Sequence, residues 1–105
     1  MDIKKLSPQV TILSGTLTGS LVEFLSVTGE GFLSNIIVNP STNPYIQILI
    51  DGTQILYGCS GNWANSPGGI NLQMNKPFKK SLQVLFSYQQ SSQNTINGLI
   101  AYGLK

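Results

Sequence analysis

The sequence predicts an all-β domain, an antiparallel β-sandwich of jelly-roll type with about eight short strands. Three observations carry this expectation. No segment keeps helical spacing over three turns, because glycine or proline interrupts each candidate. Turn signals recur about every 8–12 residues, the spacing of sandwich strands. Finally, Asp51-Gly52 lies between two alternating apolar runs, residues 45–50 and 53–57. That is the strongest short-range hairpin signal, since a two-residue type I′ turn needs positive φ at both central positions.

Residues 1–9 read as an extended arm, charged and then Ser7-Pro8, where the proline pushes its neighbour into extended backbone. Residues 10–105 form one domain. Val10 to Leu13 with Leu17 make the first strand, and Gly15 and Gly19 mark bends. Residues 21–28 are the second, and Gly29-Glu30-Gly31 supplies a tight turn. In the third, residues 32–39, Phe32, Ile36 and Val38 share one face, and Leu33 and Ile37 share the other. Pro40-Ser41-Thr42-Asn43-Pro44 is a loop by composition. In the hairpin, Ile50 faces Thr53, Ile48 faces Ile55 and Ile46 faces Tyr57. This register puts Ile46, Ile48, Ile50, Ile55 and Tyr57 inward, and Gln47, Leu49, Gln54 and Leu56 outward. Residues 58–69 lack strand character. Residues 70–75 alternate, with Ile70, Leu72 and Met74 inward, until Lys76-Pro77 breaks the strand. Residues 81–89 place Leu82, Val84, Phe86 and Tyr88 inward. After a turn at 90–94, the last strand (95–104) carries Ile96, Ile100, Tyr102 and Leu104 on one face.

Composition narrows the function classes. Only 10% of residues are charged, against roughly 25% in average soluble proteins. The polar surface is therefore Ser, Thr, Asn and Gln, which repels neighbours weakly and suits a surface that becomes covered. Net charge is +2, from six lysines and four acids, with no histidine. Lys76, Lys79 and Lys80 cluster around Phe78, but without arginine there is no bidentate reader of phosphate or bases. Nucleic acid is not an expected partner; the lysines read as a turn that discourages edge pairing. Cys59 is the one cysteine, which excludes an internal disulfide or a multi-cysteine metal site; it reads as a small apolar filler. The carboxylates are Asp2, Glu23, Glu30 and Asp51, and only Glu23 with Glu30 offers an acid/base pair. Their plain reading is a solvated strand residue and a turn residue, so the chain is expected to be no enzyme and to need no cofactor. No apolar run approaches the ~20 residues of a membrane span. Lys4-Lys5 is followed by no apolar stretch of signal-peptide type, so no export is expected.

Two groups of residues stand out as candidate sites. Leu33, Ile37, Leu49, Leu56, Leu85 and Leu99 point away from the core their neighbours define. In a chain this poor in charge they suggest a self-association patch, each worth about 1.5–3 kcal/mol when covered; the rival reading is that the faces of one or two strands are reversed and those leucines belong to the core. The second group is Trp63 with Asn62, Asn65 and Tyr57, an aromatic-plus-amide set suited to stacking on a sugar of a cell-surface glycan. The plainer reading of Trp63 is a plug over the core or a side chain packed at a subunit contact.

The segments Phe-Leu-Ser-Asn-Ile-Ile-Val (32–38), Ile-Gln-Ile-Leu-Ile-Asp-Gly-Thr (46–53), Phe-Lys-Lys-Ser-Leu-Gln-Val (78–84) and Ala-Tyr-Gly-Leu (101–104) together resemble small virion proteins of tailed phages and prophages of low-GC bacteria. The resemblance spans most of the chain after residue 20 and implies a non-enzymatic head decoration, fibre or tail-tip protein, commonly trimeric. It implies a place in the virion, assembled in the host cytoplasm, with the N-terminal arm attaching to other virion proteins. No functional residue carries over from it.

Overall fold

The computed structural model describes residues 5–17, 19–38, 45–59, 70–87 and 94–105. Among these run eight strands: β1 (Ser7–Leu17), β2 (Val22–Thr28), β3 (Gly31–Val38), β4 (Tyr45–Ile50), β5 (Thr53–Cys59), β6 (Ile70–Phe78), β7 (Ser81–Ser87) and β8 (Asn94–Leu104). They form two antiparallel four-stranded sheets, ordered β1-β8-β3-β6 (sheet A) and β2-β7-β4-β5 (sheet B). Only β4 and β5 are hairpin neighbours; each other connection between described strands changes sheet or skips a strand. This is the eight-stranded jelly-roll order, and the predicted fold class holds.

The core lies between the sheets. Sheet A contributes Leu13, Leu17, Leu33, Ile36, Val38, Phe78, Ile96 and Ile100, and sheet B contributes Leu25, Ile46, Ile48, Leu82, Val84 and Phe86, all buried. The alternation of β7 and β8 reads directly into this list, as expected for strands with one buried face. Phe24 meets Phe86 edge to face, with ring centroids 5.5 Å apart.

Register shifts interrupt four of the strand pairs, and two of them displace residues from their expected faces. Leu33 pairs with Tyr102 and Asn35 with Ala101, so Ser34 is an extra residue on β3 opposite β8. The extra residue reverses the alternation. Leu33 therefore joins Ile36 and Val38 in the core, fully buried, while Phe32 turns to the outer face, half-buried. In the hairpin, Asp51 and Gly52 both have positive φ, 53° and 81°, and Ile50 pairs with Thr53 as predicted. Beyond Leu49–Gln54 the register slips: Ile48 pairs with Leu56, Gln47 with Tyr57 and Ile46 with Gly58. Ile55 and Tyr57 are consequently exposed, and Leu56 packs against the core. A third shift lies between β3 and β6, where Asn75 takes φ 50°. Lys76-Pro77 does not end β6, which runs on to the buried Phe78 as an edge strand, where proline is tolerated. The expected arm is also shorter: Ser7 to Gln9 belong to β1, paired with Leu104 to Tyr102.

Candidate interaction surface

The registers set the paired outer-face residues in cross-strand rows. On sheet A one row is Ile12–Leu99–Ile37–Asn71, the next is Val10–Ala101–Asn35–Gln73, and a third is Pro8–Gly103–Phe32–Pro77. Leu6 lies over Gly103, so close that a methyl group there would meet the Leu6 Cβ at 3.0 Å. Across β1 and β8 these three rows are apolar, and none of their residues is charged. Ile12 is 68% exposed, Val10 60% and Ile37 37%. Polar character returns on β3 and β6, where Asn35 Nδ2 donates to Asn71 Oδ1 at 3.3 Å.

The outer face of sheet B is built differently. Its rows are Glu23–Leu85–Gln47–Tyr57 and Ser26–Gln83–Leu49–Gln54. Each leucine sits between polar residues, and the amides bond across strands: Gln83 Nε2 to Glu23 Oε2 at 2.9 Å, and Gln47 Nε2 to Gln54 Oε1 at 2.8 Å. The Tyr45 and Tyr57 rings stack at 6.1 Å, with an interplanar angle of 24°.

The six residues expected to form one self-association patch therefore divide three ways. Ile37 and Leu99 lie on the outer face of sheet A; Leu49 and Leu85 lie on that of sheet B, half-buried among amides. Leu33 and Leu56 face the core. Val10, Ile12, Phe32 and Ala101 complete the sheet A patch and were not singled out from sequence. The signal for Val10 and Ile12 was present in β1: Leu13 and Leu17, four residues apart, fix the buried phase and leave Pro8, Val10 and Ile12 on the other. Of the sugar-binding candidates, Tyr57 is half exposed on sheet B, while Asn62, Trp63 and Asn65 lie outside the described residues.

At one end of the sandwich, Asp51 does more than turn the hairpin. Its Oδ1 accepts from the amides of Lys79 (3.0 Å), Lys80 (2.6 Å) and Ser81 (3.1 Å), and its own amide donates to Ser81 O at 3.0 Å. Three successive N–H groups aimed at one carboxylate form an anion nest. This holds the Asp51 carboxyl below its ordinary value near 3.8; the Lys80 amide is the largest cause, the other two amides and the Lys80 charge add to it, and desolvation opposes it. The latch ties the β4–β5 turn to the link that carries the chain from sheet A to sheet B. Nearby, Glu30 faces Lys105 Nζ at 3.7 Å, and Glu30, Asp51, Pro77 and Lys79 line an open cleft of about 500 Å³. Its two acids are thus engaged by partners. The two glutamates of the hypothetical acid/base pair stay apart, with the extended length of β2 between Glu23 and Glu30, roughly 20 Å at ~3.3 Å per residue. Among the described residues no three His, Cys, Asp or Glu side chains gather to hold a metal ion, and no helix is long and apolar enough to cross a membrane.

No family model and no curated protein matches this chain. Among solved structures, the crystal structure of the infectious bursal disease virus VP2 subviral particle is similar over 95% of this chain, at 13% identity and a TM-score of 0.46. The structure of the infectious bursal disease virus Gt strain is similar over 95% of it, at 14% identity and a TM-score of 0.38. The chain spans about one third of those solved chains, 32% and 33% of their length.

Proposed function

We propose that this chain is a non-enzymatic structural protein of a tailed-phage virion, a head decoration, fibre or tail-associated component. It self-assembles through the outer face of sheet A. The observation that carries this reading is the run of uncharged apolar rows from Pro8, Val10 and Ile12 on β1, through Leu99 and Ala101, to Phe32 and Ile37. An exposed apolar surface of this continuity marks an interaction site more often than a bare exterior. The low charge content and the absence of histidine support a scaffold rather than a catalyst, and the jelly roll is a recurrent capsid architecture. The resemblance of its strand segments to small phage virion proteins points the same way.

Size-exclusion chromatography with light scattering tests the assembly. The wild-type chain is expected to run as a homo-oligomer, and Ile12→Lys as a folded monomer with an unchanged circular dichroism spectrum. A wild type that stays monomeric at high concentration removes the reading.

A further inference from the structure

The four sheet edges are not equally protected. β6 carries a bulge at Asn75, then Lys76 and Pro77. β2 carries Glu23 and a bulge between Glu23 and Leu25. β5 is kinked by the extra Ile55. These are the devices by which natural sheets discourage edge-to-edge pairing. β1 has none of them along its length: its eleven residues pair with β8 without a register shift, and Pro8 sits only at its start. It holds no charged residue from Ser7 to Leu17. Among the described residues β1 is bonded on one side only.

We propose that β1 pairs antiparallel with β1 of a second copy about a two-fold axis near Thr11, joining the two A sheets into one continuous eight-stranded sheet. This rests on the self-assembly reading above and specifies its geometry. A copy is the favoured occupant for two reasons. Identical strands bring identical charges close together, so an uncharged edge pairs with itself at no electrostatic cost, and of the two uncharged edges, β1 and β5, β1 is the one without a register shift. The outward residues are also self-complementary. An axis at Thr11 sets Val10 against Ile12 of the second copy, and the row Ile37–Leu99–Ile12 then continues into Val10 and Ala101 of that copy. The two most exposed large apolar side chains among the described residues, Ile12 and Val10, become cross-strand neighbours in an isologous contact. Main-chain hydrogen bonds supply affinity, and the row supplies register. The pairing predicts dimers, or higher assemblies built from dimers, rather than a simple trimer.

Amide hydrogen exchange, read residue by residue beside light scattering, tests this. In a folded oligomer, the alternate β1 amides that are not bonded to β8 are expected to exchange at least about tenfold more slowly than in the dilute monomer, the factor that 1.4 kcal/mol of pairing supplies. Ile12→Lys, and Val10→Lys as a second exposed substitution, should abolish that protection while the β3 and β7 amides stay protected. An oligomer whose edge-facing β1 amides remain unprotected overturns edge pairing and leaves assembly through the sheet face standing. A wild-type chain that remains monomeric overturns both.

Discussion

The outer faces of the two sheets carry leucine and isoleucine at comparable strand positions, yet they are different surfaces. On sheet A, Leu99 lies between Ile12 and Ile37. On sheet B, Leu85 lies between Glu23 and Gln47, and Leu49 between Gln83 and Gln54. An outward leucine therefore becomes part of a patch, or a solvated filler, according to the residues about 5 Å away on neighbouring strands. Those neighbours are far off in sequence. The row is the unit of a sheet surface, and alternation along one strand does not reveal it.

The sharpest way to break this comparison is to exchange an inward with an outward leucine. Leu33→Ala removes a fully buried side chain and should cost about 2–5 kcal/mol. Leu85→Ala, on the sheet B exterior, should cost less than about 1 kcal/mol, nearer to an ordinary surface change. Urea unfolding of the two variants measures both. Equal losses would mean that the bulge at Ser34 does not turn Leu33 into the core.

That pair of residues also shows what was legible in the sequence. The hairpin was, because Asp51-Gly52 states its turn locally and both residues take positive φ. The inward Leu82, Val84 and Phe86 of β7 and the inward set of β8 were, because neither strand's inner phase is interrupted, while Tyr88 lies outside the described residues. The bulges were not. Ser34 and Ile55 are ordinary strand residues, and each becomes an extra residue only through the strand it is paired with. One extra residue reverses every assignment beyond it, which is how Leu33 and Leu56 came to be expected outside and Phe32, Ile55 and Tyr57 inside. The Asp51 latch was hidden for a related reason: its acceptor and donors are separated by 28 to 30 residues, and Lys79-Lys80-Ser81 looks like any polar turn.

The latch gives a prediction of intermediate size, because it holds the sheet-to-sheet link that fixes how the two faces are presented. A carboxylate whose folded value is depressed stabilises fully above its unfolded value and loses that contribution as pH falls through the folded one. Thermal stability should therefore decline as pH drops below the ordinary Asp value near 3.8. Asp51→Asn should be less stable than wild type at neutral pH and should flatten that part of the acid decline. A variant with the same pH profile as wild type would mean that the three amides do not hold the charged form.

The smallest change in stability belongs to the substitution that most directly tests the role of rows. Gln83 separates Ser26 from Leu49 on sheet B and donates to Glu23 at 2.9 Å. Gln83→Leu deletes one exposed hydrogen bond and adds an apolar neighbour, terms of similar size and opposite sign, so stability should move by no more than about 0.5 kcal/mol. The surface should move much more. Leu85, Leu49 and the substituted position would then form a contiguous apolar group on sheet B, on the pattern of Ile12, Leu99 and Ile37 on sheet A. Binding of a hydrophobic dye should rise, and association should gain a component that Ile12→Lys does not remove. If dye binding and oligomeric state stay as in wild type, cross-strand composition is not what makes the sheet A face adhesive. The cause would then lie in the β1 edge itself, with its unpaired main chain rather than its side chains doing the recognition.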